Sequence, residues 1–263
     1  MFDYSKRTYI MGILNVTPDS FSDGGDFNNI DKAINRAKEM VREGVDIIDL
    51  GGESTRPGHK YVEADEEIKR IIPVIKELKK EVNVPISVDT YKAKVADEAL
   101  KLGVEMINDI WGLKKDKDMA STIAKYDAHV CIMHNQDGTN YDGDIIEEMK
   151  KSLLESIEIG LNAGIKKEKI VLDPGIGFGK NVEQNLEVLR RLDELNSLGY
   201  PILLGTSRKS VIGHVLNVEP KERLEGTIAT TVLGIRDGIS IVRVHDVKEN
   251  LMAAKMADAI YRK

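Results

Sequence analysis

The chain has 263 residues, 41% of them hydrophobic, enough to enclose a sizeable core in one or two domains. Its net charge of −6 and the lack of any concentrated basic run argue against a nucleic acid or an anionic membrane as partner. The one cysteine, Cys131, excludes an internal disulfide and a thiolate metal cluster, and its apolar neighbours suit a small buried hydrophobe. The N-terminal residues carry no apolar signal core and no segment has the length of a membrane span, so the expected residence is the cytoplasm.

Short apolar runs alternate with longer amphipathic stretches along the whole chain. The first run, residues 9–16, predicts a strand that ends at Asn15 and leads into Thr17-Pro18-Asp19-Ser20-Phe21-Ser22-Asp23-Gly24-Gly25. That loop reads as a polar turn segment, or as a lid whose aromatic Phe21 closes over a substrate. A helical pattern over 31–43 ends at Gly44, and the strand predicted over 45–51 leads into Gly51-Gly52-Glu53-Ser54-Thr55-Arg56-Pro57-Gly58. Paired glycines there would allow a ligand close to the backbone, with Thr55 and Arg56 as donors to an anion; a glycine-rich turn with a solvated arginine is the other reading.

A one-sided helix over 63–80 follows, with Pro73 expected to kink or break it. The strands predicted over 85–89 and 106–110 flank a helix over 92–102 and bring Asp89 and Asn108 to successive strand ends. A buried carboxylate beside an amide can grip the edge of a heterocycle, whereas Asp89 alone would also serve as a helix cap. The strand predicted over 129–133 ends before His134, which either touches the site edge or caps its loop. After a helix over 145–163 comes a strand over 170–173 and the segment Asp173-Pro174-Gly175-Ile176-Gly177-Phe178-Gly179-Lys180, whose spacing is not that of a phosphate-binding Walker loop. A helix over 182–198 precedes the strands at 202–205 and 239–244. The first of these leads to Ser207-Arg208-Lys209-Ser210, two cations where barrels often hold phosphate, and the second carries Arg243 and His245 on one face.

Eight strands of about 30 residues per βα unit, without a linker, predict one domain spanning 1–263. Apolar residues at successive strand positions indicate parallel strands covered on both faces. Polar residues stand at all eight strand ends: Asn15, Glu53, Asp89, Asn108, His134, Asp173, Ser207 and His245. A closed (β/α)8 barrel of the TIM type gathers those ends on one rim, the usual place of its active site, and so accounts for them better than an open doubly wound sheet.

Taken in order, the motifs 15–25, 51–58, 87–90, 173–180, 207–210 and 243–245 resemble those of the dihydropteroate synthase family across essentially the entire chain. The resemblance implies condensation of 7,8-dihydropterin-6-ylmethyl diphosphate with 4-aminobenzoate to give 7,8-dihydropteroate and pyrophosphate. It further implies that Asp89, Asn108, Asp173 and Lys209 hold the pterin with Met133 packed against it. The diphosphate would fall to Asn15, Thr55, Arg56, Arg243 and His245, with Asn15 a ligand to Mg²⁺. The aminobenzoate pocket would be framed by Phe21, Arg56, Pro57, Gly177, Phe178, Lys209 and Ser210, with Asp19 and Asp23 ordering the first loop. Asp173, Lys209, Arg56 and Asp89 are the implied catalytic residues, and a homodimer through outer helices is implied. A corrinoid-type pterin methyltransferase shares the barrel and the pterin grip but has no need of Arg56, Lys209-Ser210 or the Phe21 loop. A non-catalytic homologue is a further alternative, which the loss of a motif residue would indicate, and none is lost.

Overall fold

The computed structural model describes residues 3–16, 26–53 and 61–262. The eight expected strands form as β1 (Tyr9–Asn15), β2 (Ile47–Gly51), β3 (Ile86–Asp89), β4 (Met106–Asp109), β5 (His129–Met133), β6 (Ile170–Asp173), β7 (Leu203–Leu204) and β8 (Ile241–Val244). All pair in parallel, in the order β6-β5-β4-β3-β2-β1-β8-β7. A parallel bridge between Leu172 and Ile202, with Leu172 N–H donating to Pro201 C=O at 2.9 Å, draws β7 back to β6 and completes the ring. The helices among the described residues are α1 (Asp26–Glu43), α2 (Ala64–Glu81), α3 (Ala93–Lys101), α4 (Met119–Lys125), α5 (Ile145–Asn162), α6 (Val182–Arg190), α7 (Ser210–Leu216), α8 (Leu224–Arg236) and α9 (Val247–Tyr261).

Two expectations need correction. Pro73 does not break α2, which runs through it without interruption. The helix expected over 182–198 is two pieces: α6 ends at Arg190 and a 3₁₀ segment, Leu192–Leu198, follows. Between them Arg191 leaves helical geometry and its side chain is engaged by Asp144 and Glu194. The glycines expected to close helices do so: Gly44, Gly103, Gly164, Gly199 and Gly238 all have φ between 72° and 97°, a region that other residues enter at a cost.

Strand alternation divides the core in two. Outward residues such as Ile10, Ile48, Val88, Ile107, Val130 and Val242 pack under the helices. Inward residues Met11, Ile47, Met106, Cys131, Val171, Leu203 and Ile241 fill the lower barrel as a separate apolar plug. Cys131 is therefore a packing residue, fully buried. One pleat further along the inward faces of β2, β4, β6 and β8 the residues become polar, as Asp49, Asn108, Asp173 and Arg243, and this change of character places the site.

Leu78→Ala in the buried face of α2 should lower stability by about 3 kcal/mol, while Leu154→Ala on the exposed face of α5 should stay within about 0.5 kcal/mol. Urea midpoints of the two variants check the contrast.

Candidate active site

Inward positions above the apolar plug carry Asp49, Ser87, Asp89, Asn108, Asp173 and Arg243, supplied by five strands. The ladder register sets them side by side: Asp49 opposite Ser87, Asp89 opposite Asn108, Met133 opposite Asp173. Arg243 joins two carboxylates, donating from Nε to Asp49 Oδ2 at 2.6 Å and from Nη2 to Asp89 Oδ2 at 2.7 Å. Asn108 Nδ2 donates to the same Asp49 oxygen at 3.2 Å.

Asp89 thus binds a cation rather than capping α3, whose first N–H donates instead to Asp116 at 2.8 Å. Asp49 is fully buried, and the sequence reading passed over it. The signal was present: an aspartate in mid-strand within Ile47-Ile48-Asp49-Leu50, in step with Gly51 on the inward face.

Among the described residues, four buried polar atoms in this cluster have no hydrogen-bond partner: Asp49 Oδ1, Ser87 Oγ, Asp89 Oδ1 and Asn108 Oδ1. Buried polar groups are nearly always satisfied, so a concentration of acceptors at one place marks a surface shaped for donors from elsewhere. Burial raises the Asp89 pKa, against the pull of Arg243 and with the push of Asp49. Arg243 loses solvation too, but the two carboxylates hold its pKa above the usual value.

Across the mouth, Asp173 is raised by burial, with Lys209 pulling the other way. It also accepts the Gly175 N–H at 2.7 Å, which fixes the turn after β6. Burial lowers Lys209 to about 8, and Asp173 opposes that fall. The Lys209 ammonium donates to the Ile176 carbonyl and lies 4.5 Å over the Phe178 ring. Gly177 leaves room for it, since a Cβ there would stand 3.1 Å from Lys209 Cδ. Lys209, Phe178, Gly177 and Asp173 are thus assembled in one place, while Ser210 is exposed at the start of α7.

Arg208, the second cation of its motif, is committed to Asp246, with Nη2 2.5 Å from Oδ1 and Nε 3.1 Å from Oδ2. His245 is oriented by Ser207, whose Oγ lies 2.9 Å from Nδ1 and accepts the His245 N–H at 3.1 Å. Asn15 ends β1 beside Gly51, and its Oδ1 would stand 3.2 Å from a Cβ there. Gly51 therefore keeps space for this amide. The missing side chain of Gly52 makes room for α2, since a Cβ there would meet Ile71 at 2.6 Å and Glu67 at 3.0 Å.

Glu53 turns from the mouth toward Lys92, whose ammonium bridges Glu53 and Glu67 in a buried triad rooted at the start of the second loop. Asp19, Phe21, Asp23, Thr55, Arg56 and Pro57 lie outside the described residues.

An eight-stranded parallel barrel with a polar, incompletely satisfied cluster at the C-terminal strand ends is an enzyme of the (β/α)8 class. A family model described as "Pterin binding enzyme" matches residues 11–245. Curated dihydropteroate synthases from Clostridium beijerinckii and Bacillus subtilis are 58% and 55% identical, covering 100% and 99% of this chain and 97% and 91% of their own. A dihydropteroate synthase structure from Clostridium difficile, determined in the presence of pteroic acid, has a TM-score of 0.99 at 77% identity and full coverage of both chains. Another from Xanthomonas albilineans, with 4-aminobenzoic acid, has a TM-score of 0.92 at 39% identity, covering 97% of this chain and 93% of its own. The chain belongs to the pterin binding enzyme family, among its dihydropteroate synthases, transferases of folate biosynthesis.

Removing Arg243 leaves two buried carboxylates facing each other. Asp89 already binds its proton more tightly folded than unfolded, so without its counter-ion stability falls as pH rises through the folded pKa. Arg243→Met should cost about 3 kcal/mol at pH 8 and clearly less at pH 5, read from urea midpoints at the two values.

Proposed function

We propose that the polar cluster holds the pterin of 7,8-dihydropterin-6-ylmethyl diphosphate, and that the space between Lys209 and Phe178 receives 4-aminobenzoate. The observation that carries this reading is the set of buried acceptors on Asp49, Ser87, Asp89 and Asn108 that have no partner among the described residues. A dihydropterin presents ring N–H and amino donors along one edge, and these acceptors complement them. Asp173 and the Lys209 ammonium flank the opposite side, one accepting from the ring and one donating to it, with Met133 packed against its face.

Arg243 and His245 stand on one inward strand face toward the mouth, where a diphosphate attached to the pterin methylene would emerge. Thr55 and Arg56 would complete its binding. Among the described residues no three His, Cys, Asp or Glu side chains gather as a metal site. A protein site of one amide oxygen, Asn15 Oδ1 above Gly51, fits Mg²⁺ carried in by a diphosphate, which needs few protein ligands. When bound, the ion would neutralise charge on the diphosphate oxygens.

In the reaction the methylene C–O bond breaks and pyrophosphate departs with the bonding electrons, its charge met by Arg243 and His245. Positive charge left on the methylene is delocalised into the pterin ring, where the Asp173 carboxylate stabilises it. The 4-aminobenzoate nitrogen then donates its lone pair to the methylene carbon, and the surplus amine proton is released. Phe21, Arg56 and Pro57 would close over this step and exclude water, in a first loop ordered by Asp19 and Asp23, while Gly177, Phe178 and Ser210 frame the amine's ring. The finding of pteroic acid and 4-aminobenzoic acid with relatives of this chain supports the substrate pair.

Asp173→Asn and Lys209→Ala should each lower turnover by about a hundredfold or more with circular dichroism unchanged. A pyrophosphate-release assay with and without 4-aminobenzoate and Mg²⁺ checks both, and normal turnover in either variant would remove its assigned role.

We also propose a homodimer. Met252, Met256 and Ile260 recur every fourth residue on the exposed side of α9, and Leu233 and Val215 are exposed on α8 and α7. Large apolar side chains on neighbouring helices suit a self-complementary face. Residence in the cytoplasm accords with this reading, and no described helix is long and apolar enough to cross a membrane. Met256→Glu should shift the protein to monomer in sedimentation equilibrium; an unchanged mass would place the interface elsewhere.

A further inference from the structure

Lys180, the last residue of the glycine-rich segment after β6, is 8% exposed. Its ammonium has three N–H groups and three acceptors: His134 Nδ1 at 2.9 Å, the Gly175 carbonyl at 3.1 Å and the Phe178 carbonyl at 3.1 Å. The acceptor role of Nδ1 puts the imidazole proton on Nε2, and burial together with the nearby Lys180 charge keeps His134 neutral, at about 3. Burial also lowers Lys180 to about 7. A buried cation is costly, and among the described residues Lys180 has no carboxylate in ion-pair contact. What it secures in return is the path of one short loop.

That loop is clamped from several sides. Phe178 N–H donates to Gly175 C=O at 3.0 Å, closing a turn whose two ends are the carbonyls that Lys180 holds. Gly177 N–H donates to Asn185 Oδ1 at 2.6 Å. Gly175 has φ +67°, and a Cβ there would stand 2.0 Å from the His134 carbonyl oxygen. The Tyr141 ring stacks near His134 and its hydroxyl donates to Gly179 C=O at 2.9 Å. Inside the turn, Ile176 C=O receives the Lys209 ammonium, and the Phe178 ring lies beneath it. The positions of both site residues follow from the backbone of 175–178.

We propose that Lys180, gripped by His134, is a positioning residue for the synthase reaction: it fixes the 175–178 turn and thereby sets Lys209 and Phe178 for the aromatic amine, without touching either substrate. This rests on the reading above that Lys209 and Phe178 frame the 4-aminobenzoate pocket.

Lys180→Met keeps the length and removes the charge. It should raise the KM for 4-aminobenzoate about tenfold or more while the calorimetric Kd for the pterin diphosphate stays within about threefold. Amide exchange at Gly177 and Phe178 should quicken by about tenfold. His134→Phe, which fills the space without an acceptor, should reproduce both effects. His134→Asn, which returns an acceptor near the Nδ1 position, should rescue them.

An unchanged KM in Lys180→Met, equal weakening of both substrates, or wild-type exchange at 177–178 would overturn the proposal. If Lys180→Met does not fold, the contrast between His134→Phe and His134→Asn decides. Failure of the wild-type protein to use 4-aminobenzoate at all would instead count against the substrate assignment, and the exchange measurement would still decide whether Lys180 holds the turn.

Discussion

The guanidinium of Arg243, held at 2.6 Å from Asp49 and 2.7 Å from Asp89, is the contact on which the mouth of the barrel depends. Two carboxylates on adjacent strands, both nearly out of reach of water, repel each other strongly in the low dielectric of a protein interior. A single cation between them makes both tolerable, and its planar fork lets it serve two oxygens at once. On the other side of the mouth the same problem is solved differently. Asp173 relies on the nearby charge of Lys209 and on the Gly175 N–H.

Neutralising charge does not satisfy every oxygen. Arg243 and Asn108 together engage one oxygen of Asp49 and one of Asp89, leaving the second of each without a donor among the described residues. A core selected for stability alone would replace such groups with apolar ones, since a partly satisfied polar network is worse than none. The barrel carries it because the apolar plug below, from Met11 to Ile241, and the helix-covered faces outside supply cohesion independently. The site can remain costly while the fold stays intact.

Much of this was legible before any coordinates. The eight strands lie in the apolar runs, because parallel strands covered on both faces leave an unmistakable pattern, and the helix-closing glycines follow from the left-handed turn they make. Asp89, Asn108 and Asp173 could be found at strand ends, where fold geometry predicts reactive groups, and Lys209 in the motif that follows the seventh strand. Asp49 was missed since it sits within its strand rather than at the end, and its partner is 194 residues away. At Gly52 the sequence shows that a side chain is absent but not what stands in its place, here Ile71 and Glu67 of α2. Pro73 was expected to kink α2 or mark a break; there is no break, and buried Ile71, Val74 and Ile75 on either side hold the helix to the barrel through it. Tertiary packing outweighed local propensity there.

The opposite rim shows why the mouth is free to be so specialised. Thr8 N–H and Oγ1 both donate to Asp258 at 2.8 Å, Arg7 pairs with Asp46 at 2.6 Å, and Arg262 donates to the Tyr4 carbonyl at 3.0 Å. The contacts of Asp258 and Arg262 tie the segment that leads into β1 to the last helix, Arg7 ties it to the approach to β2, and together they secure the seam between β1 and β8 from below. Ring closure at that seam must hold for Arg243, on β8, to reach Asp49 and Asp89, on β2 and β3. The ion pair at the site is therefore also a long-range report on closure: a barrel sprung at its base would separate the cation from both carboxylates at once. Stability at one end and reactivity at the other are joined through the strands between them, as on β8, where the inward residue changes from Ile241 in the plug to Arg243 at the mouth within one pleat.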